Sequence, residues 1–378
     1  MNRKILVATC LAIGIGYFVV GLWPFSLHVH NNLVWQPGEE GTYFAWLSVV
    51  YSEGRIVLGE GTPSSDQSVG TTVELYLVSG HRSTGEVGSI LSLYDGELPS
   101  NLVIAQWRSE ILLRAGLWDE RGRRSYHELG ADIDMHRGDR RLIVMTSDAL
   151  GTSFYADGVL AKAYPGLALR PEGVGGRLIV GDAPEGGQNW TGKLIGMAMF
   201  SRSLAAPEIS RHYGLWKEGR ARELSGEPRL AALYFFGERA GGTIPDHSGA
   251  PNPLLVPEHY RTFSKTILVP PWRDPHPYFS DAGDVLTNVL GFVPFGFFYF
   301  IYRRQSQPGR TSLNLGMTAV VSGVISVAIE LIQIYLPTRT SSLTDVICNI
   351  VGALAGAVFV AVALSVIEKR AARRIWTG

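Results

Sequence analysis

The chain has 378 residues, with 34 basic and 34 acidic residues, so its length exceeds that of one average domain and its formal net charge is zero. This balance gives no reason to expect nucleic acid as a partner. Hydrophobic residues make up 46% of the chain and concentrate in four apolar runs near its two ends. Both cysteines, Cys10 and Cys348, fall inside those runs, so we predict neither a disulfide nor a cysteine metal site.

The first apolar run covers residues 5–23 and follows Arg3 and Lys4. It is long enough to cross a bilayer, which takes about 20 residues. A signal peptide is the alternative, but Leu22-Trp-Pro-Phe-Ser26 contains no small-x-small cleavage site. We therefore predict a retained first span within residues 1–30.

Residues 31–269 contain no further run of spanning length, and short segments of alternating polarity predict an all-β domain. Asp157-Gly158 between two apolar segments predicts a tight primed turn. Residues 204–213, with Pro207 near the start, predict one short helix. A dozen or so strands and one helix predict a two-sheet sandwich or jelly roll. The clearest strands are expected at residues 72–78, 89–94, 101–107, 141–146 and 177–180.

Clustered prolines in residues 270–283 predict a stiff connector between this domain and the membrane. Its aromatic residues Trp272, Tyr278 and Phe279 suit the depth of the lipid headgroups. After the connector, residues 284–378 contain the remaining three apolar runs. These spans are predicted at residues 285–302, 315–336 and 346–367.

Short basic segments flank the four predicted spans, at Arg3-Lys4, at Arg303 to Arg310 and at Lys369 to Arg374. All three lie on one side if the spans alternate, and that side is cytoplasmic by the positive-inside rule. Both termini are then cytoplasmic and the β domain is extracytoplasmic. The predicted fold class is a multidomain membrane protein: an all-β jelly-roll sandwich plus an α-helical transmembrane bundle of four spans.

A polar motif occurs twice near the membrane, as Asp284-Val-Leu-Thr-Asn288-Val-Leu-Gly291 and as Asp345-Val-Ile-Cys-Asn349-Ile-Val-Gly352. Positions i, i+4 and i+7 share one face of a helix, so each copy places Asp, Asn and Gly in a line. Such a line must face protein or water rather than lipid. An Asp at a helix entrance is also an ordinary N-terminal cap, and the glycines also suit close helix packing.

The span between the two copies carries Glu330 and Gln333 near its end, with Ser322 and Ser326 on the same face, and Arg339 follows in a short connection. A carboxylate inside a span is costly unless it is neutralised or paired, which favours a functional role for Glu330. Arg339 is close enough in sequence to pair with an acid or to hold an anion. The predicted ligand-binding residues are Asp284, Asn288, Glu330, Gln333, Arg339, Asp345 and Asn349.

This assembly resembles the VanZ-like membrane protein family over the first span and everything after about Asp281. The residues that carry the resemblance are Asn288 with Gly291-Phe-Val-Pro294-Phe-Gly296, Glu330 with Gln333, and Arg339 with Asp345, Asn349 and Gly352-Ala353. The resemblance implies a bacterial cytoplasmic-membrane protein, in a family associated with glycopeptide (teicoplanin) resistance and cell-envelope processes. The large β domain between the first and second spans departs from the simple family pattern.

The β domain resembles laminin-G-like, concanavalin-A-like domains. Asp157-Gly158, Leu178-Ile-Val-Gly181, residues 192–204 and Glu208-Ile209 match the closing strands of such domains, and residues 232–249 resemble their opening strand and Asp-x-Ser-Gly turn. Some relatives bind calcium in turns, and the turn aspartates of this chain are Asp95, Asp157, Asp182 and Asp246. Turn chemistry alone also explains these aspartates, and no cofactor is predicted. Aromatic residues suited to stacking on a sugar, or to the core, are Trp107, Trp118 and Trp190.

Three functions follow from these patterns. The leading hypothesis is a membrane-anchored binding protein whose sandwich engages a glycan or protein while the spans hold a lipid-linked or amphiphilic envelope ligand at the outer leaflet. The second is a transporter, in which Ser322, Ser326 and Glu330 line a path for protons or lipid. The third is an enzyme, in which an acid of the polar motif or Glu330 acts as general base on a lipid-linked substrate and Arg339 steadies negative charge.

Overall fold

The computed structural model of the chain describes residues 2–59, 70–80, 87–118, 124–168, 174–239, 241–249, 252–270, 282–339 and 341–376. The chain divides into two compact units: residues 28–264, here called the β unit, and residues 1–27 with 265–378, here called the helical unit. Trp272, Tyr278 and Phe279 of the predicted connector lie outside the described residues, as does the side chain of Trp118.

The β unit contains fifteen strands within its described residues. The strands are β1 (Thr42–Phe44), β2 (Val50–Leu58), β3 (Gly70–Ser79), β4 (Val87–Tyr94), β5 (Leu102–Trp107), β6 (Glu110–Trp118), β7 (Arg124–Asp132), β8 (Arg140–Asp148), β9 (Gly151–Ala156), β10 (Val159–Pro165), β11 (Val174–Val180), β12 (Gly192–Phe200), β13 (Leu230–Phe235), β14 (Thr243–Ile244) and β15 (Leu254–Leu255).

The strands form two antiparallel sheets. One sheet has seven strands in the order β1-β12-β3-β8-β9-β10, with β13 also paired to β12, and the other has eight in the order β14-β15-β2-β11-β4-β5-β6-β7. Side chains from both sheets share one hydrophobic core, which includes Leu75 of β3 and Leu93 of β4. The structure confirms the predicted two-sheet sandwich. It also pairs the late strand β13 with β12, so a segment near the end of the β unit belongs to the first sheet.

The turn between β9 and β10 has the predicted Asp-Gly chemistry. Asp157 and Gly158 have φ angles of 50° and 82°, as a primed turn requires. The Asp157 carboxylate also accepts the backbone N–H of Leu142 at 2.9 Å and pairs with Arg141 at 2.9 Å. This aspartate therefore serves the turn and the neighbouring strand.

The predicted short helix is α2 (Ala206–Lys217), which begins next to Pro207 and ends later than expected. Glu208 accepts the backbone N–H of Ala205 at 2.8 Å, so the acid caps the start of the helix. A fully buried carboxylate on β3, Glu74, ties α2 to the sheet: its Oε1 is 2.7 Å from His212 Nδ1, and its Oε2 accepts Trp216 Nε1 at 2.8 Å.

The helical unit contains four helices that are long and apolar enough to cross a membrane. They are α1 (Arg3–Leu22), α3 (Ala282–Ser306), α4 (Thr311–Gln333) and α5 (Leu343–Trp376). The first helix packs within the bundle: the ring of Tyr17 stacks on Phe292 at 4.2 Å, and its hydroxyl donates to the carbonyl of Gly291 at 2.7 Å. These contacts support the prediction of a retained first span.

Small residues bring the backbones of α3 and α5 close together. A Cβ added at Gly352 would lie 2.0 Å from the carbonyl oxygen of Val289, and one added at Gly356 would lie 2.1 Å from that of Val293. Gly352 lies against Val289 and Gly356 lies against Val293, so the two helices run in the same direction. By contrast, a Cβ at Gly291 would meet nothing within 4 Å, so the two copies of the polar motif are not equivalent.

Candidate functional site

Three carboxylates form a row at one end of the helical unit. Asp284 and Asp345 lie in the first turns of the parallel helices α3 and α5, and Glu330 lies near the end of α4, which runs the opposite way. Asp345 is in the middle: it interacts electrostatically with Asp284 and with Glu330, and Asn288 is within hydrogen-bonding reach of it. We call these three carboxylates with Asn288 the acidic row.

Glu330 is the most deeply buried member of the acidic row, with 3% of its surface exposed. Its Oε2 accepts the backbone N–H of Ser342, just before α5, at 2.7 Å. The side chain of Ser341 is a second hydrogen-bond partner of this carboxylate, so both of its donors among the described residues are neutral. Burying a carboxylate that has only neutral hydrogen-bond donors costs free energy in a membrane helix.

Asn349 lies one helical turn below Asp345 and is 8% exposed. Its Nδ2 donates to the hydroxyl of Ser326 at 2.9 Å, and Ser326 is one turn below Glu330 on α4. The Oδ1 of Asn349 is buried and has no hydrogen-bond partner in the described part of the chain. This unpaired acceptor lies beneath the acidic row.

The side chains of the other two predicted ligand-binding residues form hydrogen bonds at the end of α1. Gln333 donates to the carbonyl of Gly21 at 2.8 Å, and Arg339 donates through Nη2 to that of Trp23 at 2.9 Å. None of the ion pairs among the described residues joins Arg339 to an acid of the row. The structure thus brings together five of the seven predicted residues and directs Gln333 and Arg339 elsewhere.

A polar stripe continues from Glu330 down the whole length of α4. Its members recur every fourth residue, and each is at most 3% exposed. They are Asn314, Thr318, Ser322, Ser326 and Glu330. At 1.5 Å per residue the stripe is roughly 24 Å long. Sequence reasoning missed Asn314 and Thr318, although the same four-residue spacing that selected the two serines includes them.

The four turn aspartates of the β unit lie in separate turns, and no three described acidic, histidine or cysteine side chains come together to hold a metal ion. Asp182 is the buried one: it accepts the backbone N–H groups of Ala183 and Gln188 at 2.8 Å, the amide of Asn189 and the hydroxyl of Tyr260. Burial raises the pKa of Asp182 to about 6, even though the hydrogen bond from Tyr260 favours the charged form. The sequence predicts no cofactor, and calcium in these turns stays an alternative to turn chemistry.

Trp190 and Trp107 lie in different surroundings in the β unit. Trp190 is fully buried and donates to Gln106 Oε1 at 2.9 Å, so it belongs to the core and its role as a surface sugar platform is wrong. Trp107 is half-buried, with the guanidinium of Arg108 over its ring at 4.8 Å. One face of the Trp107 ring is therefore covered by a cation.

Two open grooves lie on the β unit. The larger has a volume of about 810 Å³ and is lined by the charged side chains of Glu53 and Arg55, by Asn252 and by apolar residues of β2 and β13. The smaller, of about 420 Å³, includes Glu39 and Lys193, which pair with each other at 2.7 Å. Both grooves are shallow, and the larger combines charged with apolar lining residues.

Two family profiles match the chain. A profile of the VanZ/LLP1 family matches residues 230–364, and a profile of the concanavalin A-like lectin/glucanases superfamily matches residues 62–210. The chain combines a VanZ-like membrane segment with a lectin-like domain. Both predicted resemblances are confirmed, although the VanZ-like match starts within the β unit and leaves out α1. The VanZ-like segment and the apolar helices together show a multi-pass membrane protein.

Comparison with solved structures finds a heptameric SAP-like pentraxin from Limulus polyphemus, with 12% identity, a TM-score of 0.34 and coverage of 48% of this chain and 79% of that one. A protein from Bacteroides ovatus described as carbohydrate-binding has 12% identity and a TM-score of 0.36, with 57% and 61% covered. The receptor-binding domain of botulinum neurotoxin D has 13% identity and a TM-score of 0.33, with 49% and 46% covered. At these values the likeness does not indicate what this chain binds. The search of curated proteins found no match.

Proposed function

We propose that the protein is a membrane-anchored binding protein of the bacterial cell envelope. Its lectin-like domain binds a glycan on the extracytoplasmic side, and the acidic row of its VanZ-like segment holds a lipid-linked or amphiphilic ligand at the outer leaflet. The observation that carries this proposal is the convergence of Asp284, Asn288, Glu330 and Asp345 at one end of the helices. By the positive-inside rule, the distribution of basic residues supports an extracytoplasmic position for that end.

Several features favour binding at the acidic row over a purely structural role. Asp284 is exposed and Asp345 is partly exposed, so the row is accessible from the end of the bundle. Large apolar side chains at the same end of the helices, Leu286, Tyr335 and Ile347, are also exposed. Polar acceptors beside an apolar rim suit an amphiphile whose headgroup enters the row and whose tails stay in the lipid.

The membrane part of the proposal is tested with Glu330→Gln in the full chain. Total lipid extracted from the protein purified from envelope membranes is compared between wild type and variant by mass spectrometry. We expect a lipid retained by the wild type to fall about tenfold in the variant, which corresponds to about 1.4 kcal/mol of binding. Glu368→Gln is the matched control, since Glu368 pairs with Arg304 at the other end of the unit. Equal lipid content in all three proteins would reject the proposal.

The glycan part of the proposal places the sugar in the larger groove. Glu53 and Arg55 offer charged hydrogen-bonding groups there, and β13 supplies an apolar floor. The full chain in detergent, applied to an array of bacterial envelope glycans, should bind at least one class. Glu53→Ala and Arg55→Ala should weaken that binding, whereas Lys162→Ala, an exposed residue on β10, should not. Equal binding in all variants would show that the sugar does not bind in this groove.

The polar stripe on α4 favours a second candidate function, transport across the membrane. The stripe is roughly 24 Å long, close to the ~30 Å thickness of a hydrocarbon core. At its inner end the amide oxygens of Asn314 and Gln307 and the Nε of Arg303 are buried without partners among the described residues. Unpaired polar atoms at both ends of a buried polar stripe are the places where ordered water would be expected.

A vesicle experiment decides between transport and binding alone. Full chain reconstituted into vesicles with a pH-sensitive dye inside is exposed to a pH step, with Ser322→Ala and Ser326→Ala as variants. Transport predicts a proton flux above empty vesicles that falls in both variants. Flux equal to that of empty vesicles would remove this candidate and leave the binding proposal unaffected.

A further inference from the structure

The charge of the acidic row identifies the chemistry of its ligand. The row holds three carboxylates, and no ion pair among the described residues includes any of them. Among the described residues, the charged groups that act on Glu330 and Asp345 are each other and Asp284, with neutral donors beside them. The nearest basic side chain in the sequence, Arg339, donates to the carbonyl of Trp23 instead.

Helix ends do not balance this negative charge. The N-termini of α3 and α5 each carry about half a positive charge, which partly offsets Asp284 and Asp345. Glu330, however, lies in the last turn of α4, where the helix end is negative by a similar amount. Lys265 is bonded through its ammonium group to the carbonyls of Leu336, Pro337 and Arg339 in the connection after α4. The described groups of the row therefore remain negative and favour a cation.

An unpaired acceptor adds a second, independent observation. The Oδ1 of Asn349 is buried beneath the row, and its Nδ2 is already committed to Ser326. A buried acceptor without a donor costs about 1–3 kcal/mol, so its natural partner is an N–H or O–H group that enters the row. A ligand with both positive charge and hydrogen-bond donors satisfies the carboxylates and this amide oxygen together.

A primary ammonium group fits these requirements better than other cations. It carries three N–H donors in addition to its charge, whereas a choline-type quaternary ammonium has none. No three acidic, histidine or cysteine side chains among the described residues come close enough together to hold a metal ion. The exposed apolar side chains at the same end of the helices, Leu286, Tyr335 and Ile347, would contact lipid tails, which suits an ammonium group that belongs to an amphiphile.

We propose that the acidic row binds the primary ammonium headgroup of a membrane amphiphile. The carboxylates of Glu330 and Asp345 accept from the ammonium group, and Asn349 Oδ1 takes its third N–H. Arg339 stays on the backbone of Trp23 and does not compete. This inference rests on the proposed binding function, which it deepens by naming the class of ligand.

The test uses the full chain in nanodiscs made from equal parts of phosphatidylethanolamine and phosphatidylcholine with identical tails. After transfer to detergent, native mass spectrometry measures which lipid stays bound. We expect the ethanolamine lipid to be enriched about tenfold, which corresponds to about 1.4 kcal/mol. Enrichment should fall stepwise when the headgroup is methylated once and then twice, because each methyl removes one N–H donor. Equal retention of all headgroups, or a preference for anionic phosphatidylglycerol, would overturn the inference.

Variants locate the effect and separate this inference from the proposed function. Asp345→Asn and Glu330→Gln should each abolish the headgroup preference, whereas Glu368→Gln at the opposite end of the unit should keep it. The methylation series needs no variant, so it remains decisive even if a variant does not fold. If Glu330→Gln removes a bound lipid but the wild type shows no headgroup preference, the binding function stands and the ammonium assignment is wrong.

Excess glycerophosphoethanolamine, which has the headgroup without tails, should not displace the lipid. Complete displacement would overturn the assignment to an amphiphile.

Discussion

Glu185 is a glutamate of the β unit whose ionisation opposes folding. One of its carboxylate oxygens is buried without a partner among the described residues, and burial together with the negative charge of Asp182 raises its pKa to about 7. The folded chain therefore holds the proton more tightly than the unfolded chain. The stability that this proton supplies is complete below about pH 4.5 and is lost as the pH rises through about 7.

We predict that Glu185→Gln removes most of this pH dependence. Its unfolding free energy should exceed that of the wild type by about 1–2 kcal/mol at pH 8 and match it at pH 5. The raised pKa corresponds to roughly 3 kcal/mol, which is reduced because the side chain is partly exposed. Thermal unfolding of the full chain in detergent measures the difference. The exposed residue Glu258 provides the control, since Glu258→Gln should change stability equally at both pH values.

At the scale of single residues, sequence reasoning found the members of the acidic row but not their hydrogen bonds. Asp345 and Glu330 were predictable because a charged residue in an apolar run needs a polar partner. Proximity in sequence predicts that Arg339 pairs with an acid or holds an anion, but its Nη2 donates to the carbonyl of Trp23, the residue after α1. Trp190 shows the same limit: alternating patterns do not tell which tryptophan enters the core, and Gln106 supplies the buried acceptor it needs.

At the scale of elements, the attachment of α2 to its sheet depends on one buried carboxylate. Glu74 accepts from Trp216 and faces His212, and all three side chains are at most 4% exposed. Glu74→Ala leaves two buried donors without acceptors, so we predict a loss of about 3–5 kcal/mol in unfolding free energy. Glu74→Gln keeps one acceptor oxygen and should lose less. Calorimetry of the full chain measures both, and equal stability of the alanine variant would contradict this role.

The α3–α5 pair provides a second prediction at this scale. Gly352→Ala would push a Cβ to 2.0 Å from the carbonyl oxygen of Val289, so the helices must separate. We expect a loss of about 2–3 kcal/mol, the usual cost of overpacking. Gly291→Ala is the matched control, because it occupies the corresponding position of the other motif copy and meets nothing within 4 Å. Similar losses in the two variants, measured by thermal unfolding in detergent, would rule out close packing as the reason.

The elements themselves were largely predictable from sequence, and their contacts were not. Spanning length located all four membrane helices, and turn residues such as Asp157-Gly158 located the hairpin. The two copies of the motif predict equivalent helix faces. Of their two glycines, however, Gly352 packs against a neighbouring backbone and Gly291 does not. The repeated motif gives α3 and α5 the same polar line, but α4 packs against these two lines unequally.

At the scale of the whole molecule, the proposed function depends on which side of the membrane each segment occupies. Basic residues near Arg3, in the α3–α4 connection and after Glu368 predict a cytoplasmic position for all three segments. With four spans the β unit is then extracytoplasmic, and so are the acidic row and the start of α5. A reversed orientation would present both binding regions to the cytoplasm, where an envelope glycan is absent.

Cysteine labelling tests this orientation in a chain whose two native cysteines are replaced by serine. Glu218→Cys places an exposed thiol on the β unit, and Pro308→Cys places one in the basic connection between α3 and α4. In intact spheroplasts a membrane-impermeant maleimide should label the first variant, and it should label the second only after the membrane is opened with detergent. Thr338→Cys, between Glu330 and α5, should follow the first variant. Labelling of the connection in intact spheroplasts, with the β unit protected, would reverse the topology and refute binding at the outer leaflet.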